Sequence, residues 1–125
     1  MSSPVDYLYT PTHEWIKQEG DILTIGITRF AVDELSDVTF IELPAVGRKV
    51  AEGASFGEIE SVKTTSELYA PVEGEVVAVN EDVKKEPSLI NDDPYTKGWL
   101  IKLKSSAKPQ GLMTAAEYDK EHNIT

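Results

Sequence analysis

Residues 58–71 read EIESVKTTSELYAP, two short strand-like runs on either side of Val62-Lys63. A tight two-residue hairpin turn needs positive φ and favours Asn-Gly or Asp-Gly. Val62 is β-branched and suits such a position poorly. The stretch therefore predicts a hairpin with Lys63 at its tip, carrying a residue pair that turn chemistry alone does not select. A local rule broken without structural gain points towards function.

Working outward, Ala70-Pro71-Val72-Glu73-Gly74 turns the chain into a strand over 75–79. Upstream, Val46-Gly47-Arg48-Lys49-Val50 with Ser55-Phe56 is echoed 33 residues later by Val79-Asn80-Glu81-Asp82-Val83 with Ser88-Leu89. Gly47 and Asn80 both tolerate turn geometry, so two strand–turn units in a quasi-two-fold arrangement are expected around the hairpin. Nearer the N-terminus, Trp15–Lys17 and Ile22–Ile25 flank the turn cluster Gln18-Glu19-Gly20-Asp21, which reads as a second hairpin. Thr28 caps a short helix through Leu35, and Val38–Leu43 is a strand ended by Pro44. Asn91–Pro94 reads as a loop, Trp99–Leu103 as a strand and Ser105–Gly111 as a polar connector. Thr114-Ala115-Ala116-Glu117 has the capping-box pattern and opens a C-terminal helix. The fold class is mainly β: a flattened barrel or sandwich with one short internal helix and a C-terminal helix. Residues 1–125 form one domain, with an N-terminal hairpin, helix and strand over 1–45, a β core over 46–103, and connector and helix over 104–125.

The chain has 125 residues, 40% hydrophobic and 27% charged, enough for a core without disulfides and too apolar for wholesale disorder. It has no cysteine, so thiolate metal sites, a Cys nucleophile and intrinsic thiol redox chemistry are excluded. Twelve basic against 22 acidic residues give a net charge of −10, which repels phosphate backbones and anionic lipid and argues against nucleic acid and membrane partners. The start MSSPVDYLYT has neither a basic n-region nor an Arg-rich amphipathic pattern. A cytoplasmic location is expected, or the mitochondrial matrix for a mature form. There is no GxSxG, Walker loop, GxGxxG or HExxH. His13 and His122 have no ligand spacing between them, and Trp15, Tyr69, Tyr95 and Trp99 read as core and rim aromatics. No catalytic residue and no metal site is expected.

What remains is Lys63. No other basic residue occurs from Ala51 to Val83, while Glu58, Glu60 and Glu67 lie close in sequence. Acidic neighbours keep an amine protonated, which opposes a nucleophilic or Schiff-base role. A lysine acylated by a dedicated enzyme is compatible with them, because acids then serve recognition and acylation removes the charge.

The stretch Val46–Leu89, with Glu60-Ser61-Val62-Lys63 and Tyr69-Ala70-Pro71-Val72-Glu73-Gly74-Glu75-Val76, resembles the biotinyl/lipoyl carrier superfamily. More narrowly, the chain resembles the H-protein family of the glycine cleavage system. The resemblance runs through Tyr9-Thr10, His13-Glu14-Trp15, Gly26-Ile27-Thr28, Asp37-Val38, Glu42-Leu43-Pro44 and Gly57, and then through Glu60–Lys63. It continues in Leu89-Ile90-Asn91, Asp93-Pro94-Tyr95 and Gly98-Trp99-Leu100. It implies that Lys63 is joined by an amide to lipoic acid, on an arm of roughly ten bonds reaching about 12–15 Å. It also implies a relay of the aminomethyl group of glycine rather than catalysis by this chain. The implied partners are a pyridoxal-phosphate glycine decarboxylase, a tetrahydrofolate-dependent aminomethyltransferase, an FAD-containing dihydrolipoamide dehydrogenase and a lipoylating enzyme. The chain is expected to be a monomer. Thr12, Glu14 and Glu67 are candidates to hold the ammonium of a loaded arm, if the N-terminal segment folds beside the hairpin. Thr64 after the lysine, and Glu67 where Asp is frequent, depart mildly from the family pattern. Other acyl-lysine carriers stay open as alternatives: a biotin carrier, which usually has Met on both sides of the lysine, and a lipoyl domain of a dehydrogenase complex, usually Asp-Lys-Ala. So do a lipoyl-relay protein for other lipoate enzymes and an unmodified β domain.

Overall fold

The computed structural model describes residues 7–105 and 112–121. In chain order the strands are β1 (Leu8–Tyr9), β2 (Glu14–Glu19), β3 (Ile22–Ile27), β4 (Val38–Glu42), β5 (Lys49–Val50), β6 (Ser55–Ser61), β7 (Thr65–Tyr69), β8 (Gly74–Val79) and β9 (Ile101–Lys104). The helices are α1 (Arg29–Leu35), α2 (Glu81–Lys85), α3 (Ser88–Asp92) and α4 (Ala115–Glu121). A six-stranded antiparallel sheet has the order β1-β2-β3-β9-β8-β5, and a three-stranded one has β4-β6-β7. The sheets stay separate, so of the two expected forms the sandwich is the one adopted.

Local chemistry explains the elements that the sequence announces. Gly20, at φ 66°, closes the β2–β3 hairpin in a conformation that a side chain would strain. Thr28 Oγ1 accepts from Ala31 N at 3.2 Å and starts α1. Around α4 the capping box is complete, with Thr114 N donating to Glu117 Oε1 at 3.0 Å and Glu117 N donating to Thr114 Oγ1 at 3.3 Å.

The hairpin β6–β7 is held down by Phe56, Ile59 and Leu68, all buried against Ile25, Val76, Ile101 and Leu103 of the larger sheet. Each such side chain contributes about 1.5–3 kcal/mol when buried. Phe56 and Ile59 are three residues apart, which in a regular strand would put them on opposite faces. A register shift between Ser55 and Gly57 restores both to the core. The same device serves β4, where a shift between Val38 and Phe40 lets Val38 and Ile41 both point inward. Thr39 and Phe40 are left exposed as a result.

Two expectations are corrected. The 33-residue echo is not carried by the backbone: 46–50 runs through a Gly47 turn (φ 97°) into β5, whereas 81–85 and 88–92 are helical. Asn80 is not a hairpin-like turn residue but the N-cap of α2, accepting from Asp82 N at 3.1 Å. Its amide also donates to Lys97 O and Trp99 O at 2.8 and 2.7 Å. Asn91 and Asp92, expected in a loop, end α3. There the Asn91 side chain accepts from Val38 N at 2.9 Å and donates to Ser36 O at 2.7 Å, fixing the start of β4. Most of the expected polar connector, residues 106–111, lies outside the described residues. Among the described residues no helix is long and apolar enough to cross a membrane.

Gly57 tests the β4–β6 seam directly. A Cβ there would sit 2.2 Å from the carbonyl oxygen of Glu42, a backbone atom that cannot swing away. Gly57→Ala is expected to cost about 3 kcal/mol, the upper range for forcing atoms into a packed site, as a lower urea midpoint at unchanged slope.

Candidate functional site

The turn that carries Lys63 is three residues wide, Val62 to Thr64, with Glu60 paired to Thr65 below it. Ser61 closes it. Its main-chain N–H donates to Thr64 O at 2.8 Å, and its hydroxyl accepts from Lys63 N and Thr64 N at 3.2 and 3.1 Å. Among the described residues only His13 and Ser36 are non-glycine positions with positive φ. Val62 and Lys63 thus need no Asn-Gly, because a serine side chain does the work of a turn backbone. The expectation of a two-residue loop in conflict with its own chemistry is replaced by a wider, side-chain-locked one. Val62 N donates to Asp37 O at 3.1 Å, tying the tip to the start of β4. Lys63 is exposed, and its Nζ lies 3.5 Å from the carbonyl oxygen of Glu34 on α1.

Next to the tip opens a cleft of ≈ 510 Å³ between α1, the segment 12–14 and the inner side of the β6–β7 hairpin. Thr12, Glu14 and Glu67 all line it, as do Thr64, Glu34, His13 and Phe30. The three candidates read from the sequence therefore share one cavity, which Thr64, the residue after the lysine, also lines. A second cleft of ≈ 660 Å³, lined in part by Glu52 and Tyr69, meets the first at Thr12 and Glu14.

Glu14 is 2% exposed, and it is the one buried carboxylate among the described residues. Thr10 Oγ1 donates to its Oε1 at 2.6 Å, and Thr12 Oγ1 donates to the same oxygen. Glu14 N in turn donates to Thr10 Oγ1 at 3.0 Å. Burial pushes the Glu14 carboxyl above its usual 4.5, opposed by the Thr10 and Thr12 hydroxyls and the Tyr69 main-chain N–H, which favour the charged form. Glu67 is exposed and accepts from Tyr69 OH at 3.1 Å, a bond that pushes the Tyr69 phenol up. Thr10 and Glu34 escape a reading of the sequence. Thr10 acts through Glu14, four residues on, in a pattern with no recognised motif, and Glu34 reaches the lysine only through the placement of α1.

His13 is built into the scaffold. Its Nδ1 shares a 2.7 Å hydrogen bond with Tyr118 OH, which lies 2.8 Å from Thr28 Oγ1. Burial pushes the Tyr118 phenol up to about 12. His13 thereby links the cleft wall to α4 and to the cap of α1. Among the described residues, no group of three or more His, Asp or Glu side chains is arranged to hold a metal.

Comparison with known proteins fits this arrangement. The family model described as glycine cleavage H-protein matches residues 7–124. The chain is 53% identical to the glycine cleavage system H protein of Nitratidesulfovibrio vulgaris (strain DSM 19637 / Miyazaki F) over 119 residues, 95% of this chain and 94% of that one. It is 52% identical to that of Listeria monocytogenes serotype 4b (strain CLIP80459), covering 96% and 98% of the two chains. The crystal structure of a glycine cleavage system H protein from Mycobacterium marinum superposes with a TM-score of 0.91 at 42% identity, covering 97% of this chain and 99% of that one. By sequence over nearly its whole length and by fold, the chain belongs to the glycine cleavage H-protein family.

Proposed function

We propose that this chain is the lipoyl-lysine carrier of a glycine cleavage system, with Lys63 as the attachment residue. The observation that carries the reading is the exposed Lys63 amine on a Ser61-locked turn, next to the cleft lined by Thr64, Glu34, Thr12, Glu14 and Glu67. These residues fit a lipoyl arm: the amine is open to an acylating enzyme, and the cavity beside it is large enough to take an extended acyl chain. When bound, the lipoyl dithiolane supplies the carbon-carrying and redox chemistry. The chain supplies placement. The Ser61 hydroxyl holds the turn, and the bond from Val62 N to Asp37 O fixes its angle to the sheet. Glu14, whose charged form the Thr10 and Thr12 hydroxyls favour against the effect of burial, offers a carboxylate to an ammonium in the cleft, with Glu67 at its edge. On this reading the chain is not itself an enzyme. It passes an aminomethyl group from a glycine decarboxylase to an aminomethyltransferase, and its electrons to dihydrolipoamide dehydrogenase.

Incubation of the full chain with lipoate, ATP and a lipoate–protein ligase, followed by intact and peptide mass analysis, tests this. A single lipoyl-amide increment on Lys63 is expected. An unmodified Lys63, with a control lipoyl substrate fully modified in the same reaction, would overturn the reading.

A further inference from the structure

Lys63 stands between two surfaces. On one side is the concave cleft, walled by α1. On the other is the open outer face of the three-stranded sheet. The large hydrophobic side chains left exposed among the described residues are Phe40 (51%), Val46 (61%) and Val62 (66%). Two of the three flank the lysine: Val62 precedes it, and Phe40 pairs across β4–β6 with Glu60. The tip and the strand of Phe40 are joined by the bond from Val62 N to Asp37 O, which holds the turn's backbone against the start of β4.

The charges on this face cannot be explained by stability. Register places Glu42 opposite Glu58, and Glu58 opposite Glu67, which on the edge strand β7 also lines the cleft, with Glu60 in the neighbouring row. No Lys or Arg occurs in any of the three strands. Like charges directly across a ladder destabilise it, and cross-strand lysines would relieve the strain. An exposed aromatic ringed by unrelieved carboxylates is matched by an apolar depression with a basic rim.

We propose that this outer face, centred on Phe40 and Val62, is the surface on which the lipoylating enzyme docks. The proposal rests on Lys63 being the lipoylated residue. Any enzyme that acylates Nζ must cover the turn and at least one adjoining face, and the outer face is the one that presents exposed Phe40 beside Val62. In the transfer, an amide bond forms between Nζ and the lipoyl carbonyl. The acyl–phosphate bond of lipoyl adenylate breaks, AMP leaves, and the ammonium gives up two of its three protons to solvent, the third staying as the amide N–H. Phe40 fills the enzyme's apolar depression, and Glu42, Glu58 and Glu60 meet its basic rim.

The test measures initial rates of lipoyl transfer from lipoyl adenylate by a lipoate–protein ligase, over a range of carrier concentrations. Wild type, Phe40→Ser and Phe40→Leu are compared, with thermal unfolding as the control for folding. For Phe40→Ser, a fall in kcat/KM of about tenfold, carried by KM, is expected, as for a central aromatic anchor. Phe40→Leu should stay within about threefold, and the wild-type KM should rise with salt. A wild-type rate for Phe40→Ser, with Lys63 labelled in both proteins, would overturn the docking surface and leave the carrier reading standing. If wild type is not labelled while a control substrate is, both fall. If Phe40→Ser is lipoylated normally but, once lipoylated, slows glycine–bicarbonate exchange with the decarboxylase, the face serves that partner and the proposal is overturned.

Discussion

Lys63→Arg is expected to leave a folded protein that accepts no lipoyl group and supports glycine–bicarbonate exchange only at background. Arginine keeps the positive charge and much of the reach, but its guanidinium stays protonated and cannot attack an acyl donor. No neighbouring amine can substitute, since Lys63 is the only Lys or Arg between Ala51 and Val83. Stability should change by no more than about 0.5 kcal/mol, as for exposed positions without special contacts. The lysine is solvent-exposed, and its ammonium makes a single 3.5 Å contact to Glu34 O. The combination separates a site from a scaffold: intact mass and exchange collapse while the urea midpoint holds. A lipoyl increment that survived in the arginine variant would move the attachment point elsewhere on the chain.

Where local chemistry decides, the fold was legible. Gly20 in the β2–β3 turn, Thr28 before α1 and the Thr114–Glu117 pair before α4 act through bonds spanning a few residues, and each lies where the sequence predicts. The helices α2 and α3 were not legible, for they have five residues each and are too short to hold by propensity. They are fixed by distant partners: the Asn80 amide on Lys97 O and Trp99 O, Asn91 on Ser36 and Val38, and buried Val83 and Ile90. The bulges in β4 and β6 left a trace, since Val38 and Ile41, like Phe56 and Ile59, break a two-residue alternation by one. At the candidate site, the place of Lys63 at a hairpin tip was legible, although the turn is wider than the two-residue one read from the sequence. Its lock was not, because the Ser61 hydroxyl replaces a backbone feature. Thr12, Glu14 and Glu67 were named from acidity and resemblance, and only the packing of 10–14 beside β7 makes them neighbours.

Glu14→Gln is expected to make the protein more stable at neutral pH and worse at holding its load. The sign follows from the carboxyl being raised above 4.5 in the folded state by burial. Below 4.5 the group is protonated whether the chain is folded or not, and no charge is buried. As the pH climbs through the raised folded value, the unfolded chain gives up its proton more readily, so this group's contribution to stability falls. At neutral pH the wild type therefore carries a cost of burying this carboxyl that is absent in acid. The glutamine amide oxygen can still accept from Thr10 and Thr12 without that cost, so the variant's urea midpoint should exceed wild type at pH 7 and approach it near pH 4. Function should move the other way. A charge-assisted bond from an ammonium to this carboxylate is worth about 1.5–3 kcal/mol. Its loss should shorten the lifetime of the amine-loaded form roughly ten- to a hundredfold, read as release of formaldehyde and ammonia from the isolated loaded protein. Both shifts together would assign the buried carboxylate to the cargo rather than to the fold. An unchanged lifetime in Glu14→Gln would leave the buried charge as a property of the fold alone.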